Sequence, residues 1–176
     1  MRVIGGEFRS RRLKSMPGLD TRPTPDRLRE TLFDILGSRI EGAVFLDAYA
    51  GTGTVGIEAL SRGAARAIFV ERSKRAARVI RENLASLGIE NRARVVTDSS
   101  ASALRSHAVD IVFLDPPYEH ETEYASALNV LGENPPPLVI VQHSVRFSPA
   151  ESYGSLRKTR KLKQGDNVLT FFGSSD

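Results

Sequence analysis

The chain has no cysteine, which excludes disulfides and thiolate metal sites and agrees with a reducing compartment. It has no uninterrupted apolar run of about 18 residues, so no membrane-spanning helix is expected. The opening "MRVIGGEFRS" lacks the apolar core of a secretory signal, and a cytoplasmic home is the default. Internal repeats and low-complexity segments are missing. The three histidines, His107, His120 and His143, show no metal-ligand spacing, and no metal is expected. Beyond residue 30 an excess of either charge is missing too, for residues 31–176 hold 17 Lys or Arg and 17 Asp or Glu.

What is present suits one domain. The 176 residues, 40% hydrophobic and 26% charged, are enough to bury a sizeable core. The whole net charge of +4 sits in residues 1–30, and a second basic cluster, "RKTRKLK", runs from Arg157 to Lys163. Basic segments on a neutral body suggest a phosphate-rich partner; a solvated basic face is the bland alternative. Residues 1–24 form a basic arm whose cations Arg2, Arg9, Arg11, Arg12, Lys14 and Arg22 are the candidate contacts, and residues 25–176 form the domain proper.

The arm carries "RVIG" and "RRLKS" around Gly5-Gly6, which predicts two short strands, followed by turn chemistry from Met16 to Pro25. "DRLRETLFDIL" has the apolar spacing of an amphipathic helix ending near Gly37. From there strands and helices alternate. Strands are expected at 43–49, 67–71, 93–98, 110–115, over "LVIVQHS", and at about 155–162 and 167–172. Helices are expected at 53–63, at 73–89 with Ser73 as cap and Gly88 as stop, at 99–107 and over "ETEYASALNVLG". Apolar strands separated by helices predict an α/β, doubly wound, largely parallel sheet. The last two strands lack an intervening helix and suggest an antiparallel edge.

Ligands of such sheets bind outside the carboxyl ends of the strands. Gly51, Gly53 and Gly56 follow the first strand in the spacing G-x-G-x-x-G, and Glu71 ends the next strand, where a carboxylate can accept both hydroxyls of a ribose. A nicotinamide dinucleotide would bring its pyrophosphate to the helix N-terminus, where Asp47, four residues before Gly51, repels it. S-adenosylmethionine brings an ammonium and a sulfonium instead, which Asp47 favours. Asp98, with Ser99 beside it, could reach an adenine edge, and Tyr49 could line the pocket or simply pack. Asp47, Glu71, Asp98 and Asp115 thus end four successive strands as an acidic lining suited to a cationic cofactor.

The fourth of these acids opens "DPPY". The exocyclic amine of a nucleobase is a poor nucleophile, because its lone pair is delocalised into the ring. It needs acceptors for its N–H protons and in-line placement rather than a strong base. Asp115 and the carbonyl of Pro116 supply the acceptors, Pro116 and Pro117 fix φ, and Tyr118 offers a stacking face for a flipped base.

Together "RVIGGEFRSRRL", "TRPTPDRLRETLFDIL", "LDAYAGTGTVGIEALSRGA" and "DPPY" resemble the bacterial 16S ribosomal RNA guanine-N2 methyltransferase family, from Arg2 to about Ser144. The resemblance implies a Rossmann-like, seven-stranded class I methyltransferase sheet, mostly parallel with an antiparallel edge, and a short N-terminal β-hairpin that helps grip RNA. It implies S-adenosylmethionine held by Asp47, Gly51, Gly53, Glu71 and Asp98, the target guanine at Asp115 to Tyr118, and the helix from Asp26 closing over the cofactor. The partner implied is 16S rRNA in an assembling small-subunit particle, and the chain is expected to act as a monomer. Ser10 stands where the family usually has Gly, and Gln142 where an acid is expected. The competing readings are a DNA adenine-N6 methylase, a non-catalytic RNA-binding module and, last, an NAD oxidoreductase.

Overall fold

Successive residues of a strand point to opposite faces, and here both faces are apolar, so both must be covered. Phe45, Phe69, Phe113 and Ile140 belong to one buried cluster; their neighbours Leu46, Ile68, Val112 and Val141 belong to the other. The computed structural model describes residues 1–18, 24–117 and 120–175. Its elements alternate as expected: α1 (Asp26–Leu36), β1 (Val44–Asp47), α2 (Thr54–Ser61), β2 (Arg66–Val70), α3 (Lys74–Leu87), β3 (Ala93–Val96), α4 (Ser100–Ser106) and β4 (Ile111–Leu114). Then follow α5 (Glu121–Glu133), β5 (Leu138–Ser144), β6 (Ser152–Tyr153), β7 (Leu156–Gln164) and β8 (Asn167–Ser174). Ser73 caps α3 by accepting from the Ala76 amide, and Gly88 ends that helix with φ 68°.

The sheet order is β3-β2-β1-β4-β5-β8-β7-β6. The first five strands are parallel, and β8, β7 and β6 are joined antiparallel at one edge. The Rossmann-like class is as expected; the sheet has eight strands rather than seven because the two-residue β6 pairs with the start of β7. Helices α1, α2 and α3 cover one face, and α4 and α5 the other.

The arm departs from the two expected strands. It is a loop closed by a single antiparallel bridge, Arg2 to Arg12, with the Val3 amide donating to the Arg11 carbonyl at 3.0 Å. Val3 and Leu13 are buried in the same cluster as α1 and α2. The arm is fastened by Glu58 on α2, which is fully buried and accepts from the amides of Ile4 at 2.9 Å and Gly5 at 2.8 Å. Arg62 Nε donates to the same carboxylate at 2.9 Å. Arg29 of α1 lies 3.6 Å from it and donates to the Arg2 carbonyl at 2.7 Å, so one buried cluster ties arm, α1 and α2 together. Ser10, in the turn, has φ 69°, a left-handed conformation that glycine adopts without steric cost.

Removing one partner of a buried ion cluster strands the others. Glu58→Gln is therefore expected to lower stability by about 3–5 kcal/mol in urea unfolding. A change within about 0.5 kcal/mol would mean that the cluster is replaceable. Ser10→Gly should raise stability by up to about 1 kcal/mol, the relief of strain being partly offset by the looser unfolded chain.

Candidate active site

Strand parity decides where the acids point. Asp47, Glu71 and Asp115 follow Phe45, Phe69 and Phe113 by two residues each, so all three lie toward the α1–α3 face at the carboxyl ends of adjacent strands. Asp98, two residues beyond β3, completes the row at its outer end, so the rim runs Asp98, Glu71, Asp47, Asp115. The four acids expected at one rim are brought together there.

The glycine loop joins β1 to α2. Gly51 (φ 57°) and Gly53 (φ 85°) are both left-handed. A Cβ on Gly56 would fall 2.3 Å from Phe69 Cε1, so glycine there lets α2 lie close against β2. A Cβ on Gly51 would meet nothing within 4 Å, which leaves open space above the loop. Asp47 Oδ2 accepts from the Gly56 amide at 3.1 Å, closing the loop onto the strand. Glu71 accepts from the amides of Gly51 and Ser73, each at 2.8 Å, so its two oxygens hold the loop and the start of α3. Exposed Asp98 accepts from the Ser99 amide at 2.7 Å, and Ser99 caps α4. Tyr49 packs against the opposite cluster, with its hydroxyl near Ser100 and Glu123; its burial pushes the phenol up to about 12.

Burial dominates the charge state of the two central acids. Asp47, 1% exposed, has no ion pair among the described residues, and desolvation pushes it up to about 7 against the amides that favour its charged form. Asp115 is pushed up to about 8, first by burial and then by Asp47, although it keeps some solvent exposure that screens it more than its neighbour.

Three residues not singled out as site residues support Asp115. Thr24, buried just before α1, donates to Gln142 Oε1 at 3.2 Å and also lies in hydrogen-bond contact with Asp115. Gln142 fills the place where an acid was expected, and it is 2% exposed. Tyr124 of α5 donates to the carbonyls of Gln142 at 3.0 Å and Pro116 at 3.3 Å, pinning the Asp-Pro-Pro turn to β5. Thr24 stood in a recognisable run, but nothing local indicated its partner; Tyr124 lies at an ordinary core position of a helix. Pro116 is buried and Pro117 exposed; Tyr118 and Arg22 lie outside the described residues.

The arm cations Arg2, Arg9, Arg11, Arg12 and Lys14 are all exposed. Arg2 stands 4.0 Å from Asp26, Lys14 pairs with Glu82 at 2.9 Å, and Arg11 donates to the Ser86 carbonyl at 3.0 Å. Lys14 also donates its amide to Asn83, whose side chain donates to the Thr52 carbonyl, so the arm leaves the α3 side beside the glycine loop. No group of three or more metal-binding side chains occurs among the described residues. Two open clefts, one beside Phe33 and Arg62 and one beside Asp110 and Pro137, lie at the opposite end of the sheet.

A mostly parallel sheet with a glycine loop after its first strand and acids along its rim defines a Rossmann-like methyltransferase fold. A family model described as conserved hypothetical protein 95 matches residues 1–173, and the chain belongs to that family. It is 35% identical over 174 residues to the "Putative rRNA methyltransferase YlbH" of Bacillus subtilis, covering 94% of each chain. It is 42% identical over 138 residues to the "Ribosomal RNA small subunit methyltransferase D" of Escherichia coli K12, covering 76% of this chain and 68% of that one. Among solved structures, "Putative methyltransferase yhhF from Escherichia coli" superposes with a TM-score of 0.88 at 31% identity, covering 100% of this chain and 98% of that chain. An RNA methyltransferase from Salinibacter ruber, solved with S-adenosyl-L-homocysteine, shares the fold at TM-score 0.68 and 16% identity, covering 88% of this chain and 94% of that chain.

The raised acids carry a stability signature. Between the ordinary carboxylate range and about pH 8, the folded chain holds protons on Asp47 and Asp115 that the unfolded chain has released. Stability of the ligand-free protein should therefore fall as pH rises from about 5 to about 8.5. Asp47→Asn should flatten much of that slope, whose ceiling for a rise from 3.8 to about 7 is roughly 4 kcal/mol. Melting temperatures across this pH range check it; a stability rising with pH in both proteins would contradict the assignment.

Proposed function

We propose that the protein transfers a methyl group from S-adenosylmethionine to the exocyclic N2 of a guanine in 16S rRNA, within a small-subunit particle. The observation that carries this reading is Asp115 with the Pro116 carbonyl at the tip of β4, directly beside the Asp47 end of β1. The similarity to ribosomal RNA methyltransferases supports an rRNA substrate, and the resemblance of the Asp-Pro-Pro-Tyr stretch supports an exocyclic amine as acceptor.

The residues fit the cofactor. Asp47 is a buried carboxylate without a cation, so the ammonium of an amino-acid moiety offsets a desolvation that the protein alone leaves uncompensated. Glu71 has lone pairs left beyond its two backbone contacts for ribose hydroxyls, and Asp98 and Ser99 stand at the β3 end for the adenine. When bound, S-adenosylmethionine supplies a methyl carbon made electrophilic by its sulfonium.

The chain's own work is to present the amine. Asp115, as carboxylate, accepts one N–H of N2, and the Pro116 carbonyl accepts the other while remaining anchored by Tyr124. These acceptors direct the nitrogen lone pair at the methyl group, and Asp115 takes up the N–H proton that N2 releases as the new bond forms. Thr24, bonded to Gln142 and in hydrogen-bond contact with Asp115, restrains the Asp115 side chain. Tyr118 serves as a stacking face for the flipped base, and the arm cations hold the flanking phosphates. A neutral Asp115 accepts more weakly and commits one oxygen as a donor, so a cationic donor, by favouring its charged form, prepares the site for the base.

Labelled methyl transfer to small-subunit particles lacking the modification tests the reading; label on a guanine N2 is expected. Label on an adenine, or none on any RNA, would overturn it. Asp115→Asn should lower the transfer rate by at least about 100-fold while calorimetry shows donor binding retained. At limiting S-adenosylmethionine, kcat/KM for the unaltered protein should rise with pH from about 6 toward about 8, as Asp115 of the donor-free protein loses its proton.

A further inference from the structure

The basic stretch at Arg157–Lys163 is sorted by the fold in a way that sequence order conceals. A bulge between Lys158 and Arg160 shifts the register of β7, so that Lys158, Lys161 and Lys163 pair with Phe172, Thr170 and Val168 on one face. Arg160 pairs with Phe171 on the other face. Lys158 and Lys161 both bear on His143 of β5, consistent with that shared face. Lys158 is spoken for by Glu151 at 3.0 Å, whereas exposed Lys161 and Lys163 have no ion pair among the described residues.

This row ends beside the candidate active site. Gln164 pairs with Asn167, Asn167 with Ser144 at the end of β5, and the Val145 amide donates to the Asp166 carbonyl at 3.1 Å. The turn that carries exposed Arg146 is thus bonded to the β7–β8 turn, and between them Val145 is 43% exposed. From β4, which Asp115 directly follows, to β7 is three strand steps across β5 and β8, about 14 Å.

We propose that Arg146, Lys161 and Lys163 form a second RNA-contacting surface, which holds the phosphates of the strand flanking the target base on the side of the site away from Asp98. The proposal rests on the rRNA reading above and deepens it. Charge complementarity selects the occupant: three cations without an ion pair among the described residues, on the edge that leads to exposed Val145, suit a phosphate backbone with a base against Val145. Lysines on a free sheet edge also discourage pairing with another sheet, and that role alone would need no RNA.

The experiment compares the full chain with Arg146→Gln/Lys161→Gln/Lys163→Gln, and with Arg39→Gln/Arg66→Gln at the opposite end of the sheet. Binding to unmodified small-subunit particles and to their protein-free rRNA is measured across salt, with S-adenosylmethionine calorimetry as the check of fold. The triple variant should lose affinity for both RNAs and flatten the log-log salt slope by about 2, at about 0.7 per lost contact, with the control pair unchanged. An unchanged slope, with or without new self-association, would overturn the proposal in favour of edge protection. A loss confined to whole particles would overturn it in favour of a ribosomal-protein contact. If the unaltered chain binds RNA with the expected difference but transfers no methyl group, the surface stands and the methylation reading falls; if it binds no RNA, both fall.

Discussion

A carboxylate buried without a cation is the constraint around which this molecule is organised. Burial makes a charge on Asp47 costly, and among the described residues it meets the Gly56 and Tyr49 amides and no cation. The Gly56 amide reaches it because Gly56 lets α2 press against Phe69, bringing the helix start back over the strand end. The same contact shapes the loop, opens the space above Gly51 and leaves an anionic floor. Chemistry that brings a positive ligand completes such a site, while a polyphosphate ligand would meet the wrong sign of charge.

Around that floor, backbone groups are fixed by side chains from distant parts of the chain. Glu71 holds Gly51 from 20 residues away, Thr24 reaches Asp115 and Gln142 from before α1, and Tyr124 anchors the Pro116 carbonyl from α5. Each contact restrains a polar group of the rim, which is what preorganisation requires. The arm is integrated in the same way. Its backbone is bound by buried Glu58 and its apolar residues join the core, while its arginines are exposed.

The sheet edge shows how a small irregularity redistributes charge. One extra residue at the β7 bulge places Lys158 and Lys161, three apart in sequence, on one face, where regular alternation would have separated them. A run of mixed basic residues thereby becomes a directed row that ends at the same rim as the acids. Acidic floor and basic margin then stand at one rim, opposite in sign and separated by β5 and β8.

Much of this was determined by the sequence alone. Alternating apolar strands and capped helices led to the α/β class and to nearly every element; the glycine spacing and the strand-ending acids marked the rim, because period and turn chemistry are local properties. The arm's two strands and the sheet's strand count were misjudged, since a single bridge and a two-residue strand leave no periodicity to read. Tertiary structure alone decided which acids share a face, that Tyr49 turns toward the other cluster, and that Thr24 meets both Asp115 and Gln142 while Tyr124 holds the Pro116 carbonyl. Those outcomes depend on strand order, on parity across a bulge and on desolvation, each set by residues far apart in the chain, so no local pattern could have carried them.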